Sequence, residues 1–307
     1  MTISPTTFEA DLRGRLLDIV YGQWHDFGAP FADVHASDEV IDPEALLWCS
    51  LEFLPTEPRL CETVVAWLHL NPNYILRQRL KNRIHAADPR LVAWRMIGRT
   101  AGSSPSSVDP SGPPDSYEGF ADRISRLQSM DSRIGKPVVG PSTLLMRARD
   151  LLGGDGRHLL LVYLLANPGG ARLRDIQRWT GYSYRSTSET ATRWQSAFVV
   201  DIDHGYCRLI DSQPWRDLLK QRPERIVLVD FFNLFEACIQ LMRSLGKARK
   251  KGIDSVNSPV IHALLRDANT AISSSRLSEI RDGAASINYL QALFPKERVG
   301  ASRVQPA

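Results

Sequence analysis

Residues 173–209 read LRDIQRWTGYSYRSTSETATRWQSAFVVDIDHGYCRL, and their periodicities decide the fold class of the middle of the chain. Leu173, Ile176 and Trp179 recur at three-residue steps and form the apolar stripe of one short helix, Leu173–Thr180. Thr180-Gly181-Tyr182-Ser183 interrupts it. Gly181 can take the positive φ needed where a chain reverses between two helices, and Ser183 is placed to cap the next helix. Over Tyr184–Ala197, Thr187, Ala191 and Trp194 fall at i, i+4 and i+7 and mark an inward stripe. The opposite face then carries Tyr184, Arg185, Ser188, Glu189, Thr192 and Arg193. Two short alternating runs follow, Phe198–Asp203 and Tyr206–Asp211, split by His204-Gly205. A two-residue turn ending in glycine between such runs signals a hairpin.

Working upstream, Arg157–Ala166 reads as a further helix with Leu160, Tyr163, Leu164 and Leu165 on its apolar face. Asn167-Pro168-Gly169-Gly170 ends it. Three short helices and a hairpin, in this order and at these lengths, resemble the winged helix-turn-helix family of DNA-binding proteins. The likeness extends to bacterial transcription regulators, and more loosely to winged-helix antitoxins that repress their own operons. It implies that the third helix enters the major groove of double-stranded DNA N-terminus first. Arg185, Ser188 and Glu189 are then expected near base edges, with Arg193 and Arg178 nearer phosphates. Ser183, Tyr184 and Thr192 complete that face. Arg172 and Arg174 begin the second helix beside backbone N–H groups that suit a phosphate. The hairpin becomes the wing, with His204 at its tip and Arg208 on its return strand. Palindromic operators go with such proteins, so a homodimer is expected.

The flanks organise around this segment. Residues 101–116, AGSSPSSVDPSGPPDS, hold four prolines, two glycines and six serines and read as a flexible linker. Before it, residues 1–100 read as a helical domain. Its expected helices are Phe8–Trp24, Glu44–Leu54, Thr56–Leu70, Tyr74–Ala87 and one from Asp88-Pro89 to about Gly98, with no strand of useful length. Asp42-Pro43-Glu44 supplies a cap, a proline at the first helical position and an early acid. After the linker, residues 117–140 are expected to contain a connecting helix, Gly119–Ile134, and 141–214 hold the winged helix. Residues 215–295 form a C-terminal helical region (about Asp230–Lys247, Pro259–Ser273 and Ala285–Phe294), and 296–307 form a tail. The fold class is therefore mainly α with a short β-hairpin, and the linker is expected to separate independently folding parts.

Net charge is only +4, but it is unevenly distributed. Residues 1–100 hold ten basic and thirteen acidic side chains, 141–215 nine and seven, and 216–307 fifteen and nine. The acidic, tryptophan-rich N-terminal part is expected to bind a protein partner or dimerise. Trp24, Trp48, Trp67 and Trp94 lie on helical faces and read as core. Lys247-Ala248-Arg249-Lys250-Lys251 closes a helix, where cations suit the macrodipole.

Chemistry is sparse. Cys49, Cys61, Cys207 and Cys238 form no C-x-x-C pair and read as small buried residues in a reducing compartment. The seven histidines show no metal-ligand spacing, and no phosphate loop or nucleophile motif occurs. Hence no catalytic residue, metal or cofactor is expected. Asp201 and Asp203 could pair on a strand, but they fall in the wing and lack a preceding phosphate-cradling motif. Two readings compete with DNA binding. Winged helices also dock proteins, and the acids of the wing favour that scaffold reading. Arg225–Ala237, RIVLVDFFNLFEA, resembles the opening strand of NYN/PIN-like metal-dependent ribonucleases and would centre a site on Asp230 beside Asp254 or Asp267. Asp230 is more simply a helix N-cap. Phe8, Glu9, Asp11 and Arg13 arrive too early for a signal peptide, and no apolar run approaches membrane-spanning length. A cytoplasmic location without membrane attachment is expected.

Overall fold

The computed structural model describes residues 5–31, 39–84, 88–100, 134–220, 226–253 and 259–273 and is mainly helical with a small amount of sheet. The chain divides into two units, Leu17–Phe232 and Met1–Leu16 with Asn233–Ala307. The expected linker and nearly all of the connecting helix fall outside the described residues, as do Ala285–Phe294 and the tail.

The larger unit begins within α1 (Pro5–Asp26), followed by β1 (Glu39–Val40), α2 (Pro43–Phe53) and α3 (Pro58–Leu70). Helix α2 starts as its sequence dictates: Asp42 takes an extended conformation and accepts the Glu44 and Ala45 N–H groups, with Pro43 at the first position. Its C-terminal end packs with α1 and α3 around indoles. Trp24 and Trp67 meet edge-on at 5.1 Å, and each buried indole N–H is satisfied, Trp24 by Ser50 Oγ and Trp67 by Phe27 O. Trp24, Trp48 and Trp67 are buried core residues, whereas Trp94 is half-buried.

Beyond Leu70 the structure departs from the expected helix Tyr74–Ala87. A 3-10 turn, Pro72–Tyr74, precedes α4 (Arg77–Arg83), and residues 85–87 lie outside the described set. The physical reason is that Ile75 and Leu76 are extended, and Glu44 Oε1 accepts the Leu76 N–H at 2.7 Å in place of a helical carbonyl. Helix α5 (Arg90–Thr100) follows.

From residue 134 to residue 140 the chain forms no helix, and the Gly135 and Val138 N–H groups donate to Gly28 O and Asp26 O. A second 3-10 turn, Pro141–Thr143, leads into α6 (Leu144–Leu152) and α7 (Arg157–Ala166). Next come β2 (Ala171–Arg172), α8 (Leu173–Thr180), α9 (Tyr184–Ser196), β3 (Val200–Asp203), β4 (Tyr206–Leu209), α10 (Gln213–Leu218) and β5 (Val227–Leu228). The strands make two sheets: antiparallel β2-β4-β3, and a two-residue parallel pair of β1 with β5, Glu39 opposite Val227. Neither β1 nor β5 is foreshadowed by alternation, because each contributes only two residues and its partner is remote in sequence.

The smaller unit, in its described part, takes the start of α1, α11 (Phe231–Lys250) from Asn233 onward, and α12 (Pro259–Ser273). Leu12 and Leu16 are buried there, as are Phe235, Ile239, Met242 and Leu245, at helical spacing. Glu9 pairs with Arg249 at 3.3 Å. All four cysteines are reduced and buried, and burial pushes the Cys207 and Cys238 thiols up to about 12, so neither is a nucleophile at neutral pH.

Within the larger unit the segments before and after residues 101–133 meet directly. Their junction is a fully buried arginine. Arg79 donates from Nη1 to Asp42 and Glu44, from Nη2 to Asp42 and Trp179 O, and from Nε to Thr180 O. All five guanidinium N–H groups are thereby used. Burial alone would raise the Asp42 carboxyl, but Arg79 outweighs it and holds Asp42 below its ordinary range. For Glu44 burial wins, assisted by the Asp42 charge and opposed by Arg79, and its carboxyl is pushed up to about 6.

Arg79→Ala leaves two carboxylates buried together and is expected to destabilise the fold by about 3–5 kcal/mol in urea denaturation. Glu44 gives a pH test. Its folded value lies above the ordinary 4.5, so the native state binds the proton more tightly. The stability of the parent protein relative to Glu44→Gln is therefore expected to fall as pH rises from about 4.5 to about 6 and to level off above that. Urea midpoints of the two proteins across that range measure it.

Candidate nucleic-acid interface

Helices α8 and α9 and the β3-β4 hairpin form one continuous surface built by local rules. Leu173, Ile176 and Trp179 of α8 are buried, with Tyr163 of α7 against Trp179 at 5.4 Å between ring centres. Gly181 ends α8 in the left-handed region at φ +74, and its N–H donates to Gln177 O. Ser183 caps α9, its hydroxyl accepting the Ser186 N–H at 3.1 Å. Thr187, Ala191 and Trp194 point inward, and Trp194 stacks on Trp215. His204 and Gly205 both take positive φ, the geometry of a tight two-residue hairpin turn. Strand β2 joins β4 with Ala171 opposite Cys207, and Leu173 N–H donates to Gly205 O, so the hairpin is anchored to the start of α8.

The residues singled out from sequence are distributed over this surface. Arg172 stands on β2, and Arg174 and Arg178 on α8; all three are exposed. Tyr184, Arg185, Glu189, Thr192 and Arg193 are exposed on α9, Ser188 is half-buried there, and the capping Ser183 is exposed at its start. His204 occupies the hairpin tip with 96 % of its side chain exposed, and Arg208 lies on β4.

Six arginines face four acids between residues 171 and 209, and the pairing among them sorts the cations. Arg185 Nε donates to Glu189 at 2.8 Å, one turn along α9, raising the guanidinium and lowering the carboxyl from their ordinary values. Arg208 reaches Asp201 across the hairpin at 2.8 Å, and Arg178 lies 3.5 Å from Asp175. Arg172, Arg174 and Arg193 make no ion pair among the described residues. These three are left without a carboxylate partner on this surface, whereas Arg185 has an acceptor of its own.

Groups that the sequence reading passed over lie behind the turn. Arg83 Nη2 donates to Arg178 O and Trp179 O at 2.6 and 2.7 Å, and Asn82 Nδ2 donates to Gly181 O at 3.1 Å. With Arg79 on Trp179 O and Thr180 O, helix α4 caps four successive carbonyls at the end of α8. The only sequence signal was the composition of RQRLKNR, four cations without an acid, which reads equally well as a solvated helix.

Comparison with known protein families, curated proteins and solved structures returned no match. The surface is therefore read from its own chemistry. Among the described residues, no group of three or more His, Cys, Asp or Glu comes together to hold a metal ion. Asp201 is paired with Arg208, and Asp230 is buried immediately before α11 with the Arg83 charge acting on it. Asp254 lies outside the described residues, and Asp267 stands on α12. His158 is buried, and that burial, reinforced by Arg149 and Arg79, depresses it to about 3, so it is neutral at physiological pH. No described helix is long and apolar enough to cross a membrane.

Gly181 tests the construction of the turn. A Cβ there would sit 2.6 Å from Arg83 Nε on a backbone at φ +74. Gly181→Ala is expected to cost about 1–2 kcal/mol from backbone conformation, with a further loss as Arg83 is displaced, measured by thermal and urea unfolding.

Proposed function

We propose that the chain is a sequence-specific DNA-binding regulator in which residues 157–209 act as a winged helix-turn-helix. The observation that carries this reading is α9: its inner face is buried and its outer face, from a capped and accessible N-terminus, offers Tyr184, Arg185, Glu189, Thr192 and Arg193 to solvent beside an exposed hairpin. Such a helix fits the major groove, where Arg reads guanine bidentately and Glu accepts from cytosine N4. Arg185 and Glu189 are assigned to bases, and Arg172, Arg174, Arg178 and Arg193 to phosphates. Approach of a guanine requires Arg185 to exchange Glu189 for O6 and N7, so their pair favours a base partner that can replace a fixed acceptor. A two-fold palindromic operator, a homodimer and regulation of the protein's own promoter complete the proposal.

The second reading, docking of a protein, draws support from a specific feature. Asp201 and Asp203 place negative charge on the hairpin, and near its base Phe198 is 84 % and Ile210 58 % exposed.

Binding of duplexes from the region upstream of the gene, followed by fluorescence anisotropy, tests the proposal. Affinity is expected to fall steeply with salt. Arg185→Ala should relax sequence preference by about 1–3 kcal/mol at one base-pair position, whereas Arg193→Ala should weaken all duplexes alike. Absence of binding to any duplex at low salt would sink the DNA reading and leave protein docking.

A further inference from the structure

Residues 181–183 join α8 to α9, and the direction in which α9 leaves the turn is set where α8 stops. The last carbonyls of a helix have no partner within it. Gly181, at φ +74 and without a side chain, does little by itself to fix the backbone there. At this turn the partners come from α4. Arg83 Nη2 donates to Arg178 O at 2.6 Å and to Trp179 O at 2.7 Å, and Asn82 Nδ2 donates to Gly181 O at 3.1 Å. Both donors are themselves held. The Arg83 guanidinium lies 5.1 Å from the centre of the Phe232 ring with the Asp230 charge acting on it, and Gln78 Nε2 donates to Asn82 Oδ1 at 2.9 Å, orienting the amide. Arg83 Nε is 2.6 Å from where a Cβ on Gly181 would stand, so the fork lies against the bare face of the glycine.

Resting on the DNA-binding reading, we infer that Arg83 and Asn82 are positioning residues for base recognition, which hold the turn so that α9 enters the major groove at one angle. Reading a base edge demands that a side chain be placed to within about half an ångström, and such placement comes from the groups behind it. Attraction to phosphates carries no sequence information and tolerates looser placement. Arg185 stands only four residues beyond Gly181, so a change of backbone angle at the turn moves it directly. Arg83 has its Nη2 engaged by two carbonyls and its Nε buried, which assigns it to the turn rather than to a phosphate. Arg83 is half-buried and Asn82 exposed, so either can be replaced while the Arg79 cluster with Asp42 and Glu44 still joins the two segments.

The test compares Arg83→Met with the parent, as full chains, on two duplexes: the tightest-binding one from upstream of the gene and one of unrelated sequence. Equilibrium binding is followed across a range of salt, well below the unfolding midpoint of each protein. The ratio of the two affinities is expected to fall about tenfold, the equivalent of one misplaced base contact. Affinity for the unrelated duplex, and the slope of log affinity against log salt, should stay at the parent's values. Asn82→Ala, at an exposed position, should lower the same ratio by a smaller factor with an unchanged slope, and it carries the test if the Met variant does not fold. A ratio equal to the parent's in Arg83→Met, or in Asn82→Ala where that variant stands in for it, overturns the inference. That outcome includes a purely structural role, in which a fraction of the chain unfolds and both duplexes weaken alike. A slope lowered by about 1 also overturns it, since Arg83 would then be a phosphate contact in its own right. Failure of the parent protein to bind any duplex instead removes the DNA reading, and this role with it.

Discussion

Arg79 is fully buried, so protein groups must meet its charge, and the structure around it follows from meeting that demand. Asp42 and Glu44 supply two carboxylates from the first turn of α2, and Trp179 and Thr180 supply carbonyls from the last turn of α8. The guanidinium is the one side chain whose planar fork serves all of these acceptors at once. A buried ion pair of this kind is weak evidence for net stability, since apolar packing of equal volume often does as well. What it imposes is geometry. Two segments about a hundred residues apart must meet in one register for five donors to find five acceptors.

That register determines how the turn between α8 and α9 is held. A helix C-terminus ordinarily leaves its last carbonyls to water and carries partial negative charge. Here Arg79, Arg83 and Asn82 satisfy them, and the two guanidiniums lie over the Phe232 ring at 5.3 and 5.1 Å. Gly181 is required twice over, for its positive φ and for the close approach of Arg83. The support does not touch the outer face of α9, so the residues that would meet a ligand remain exposed while their foundation is buried.

Across the exposed surface, charge is partitioned rather than accumulated. The pairs Arg185–Glu189, Arg208–Asp201 and Arg178–Asp175 are all solvent-exposed and contribute little to stability. Their effect is to pose side chains and to keep the net field modest. Between residues 171 and 209, the arginines without a carboxylate partner among the described residues, Arg172, Arg174 and Arg193, lie on β2, α8 and α9 rather than on the hairpin.

Much of this was legible in residues 157–209. Ser183 as a cap, Gly181 as a reversal, the inward Thr187, Ala191 and Trp194, and the His204-Gly205 turn all act on neighbours within a few positions, so local pattern specifies them. The helix expected over Tyr74–Ala87 was lost because the Leu76 amide bonds to Glu44, 32 residues away, which no periodicity records. The two-residue pair of β1 with β5 was invisible for the same reason. By itself, then, the sequence determined the helices and hairpin of the central segment and the inner and outer faces of α9, since those depend on the repeat of the chain. Only the tertiary structure decided that Arg79 is buried while Arg77 and Lys81 are not. A cation-rich helix carries the same pattern in water or in a core, and its side chains are sorted solely by where distant carboxylates and carbonyls come to lie.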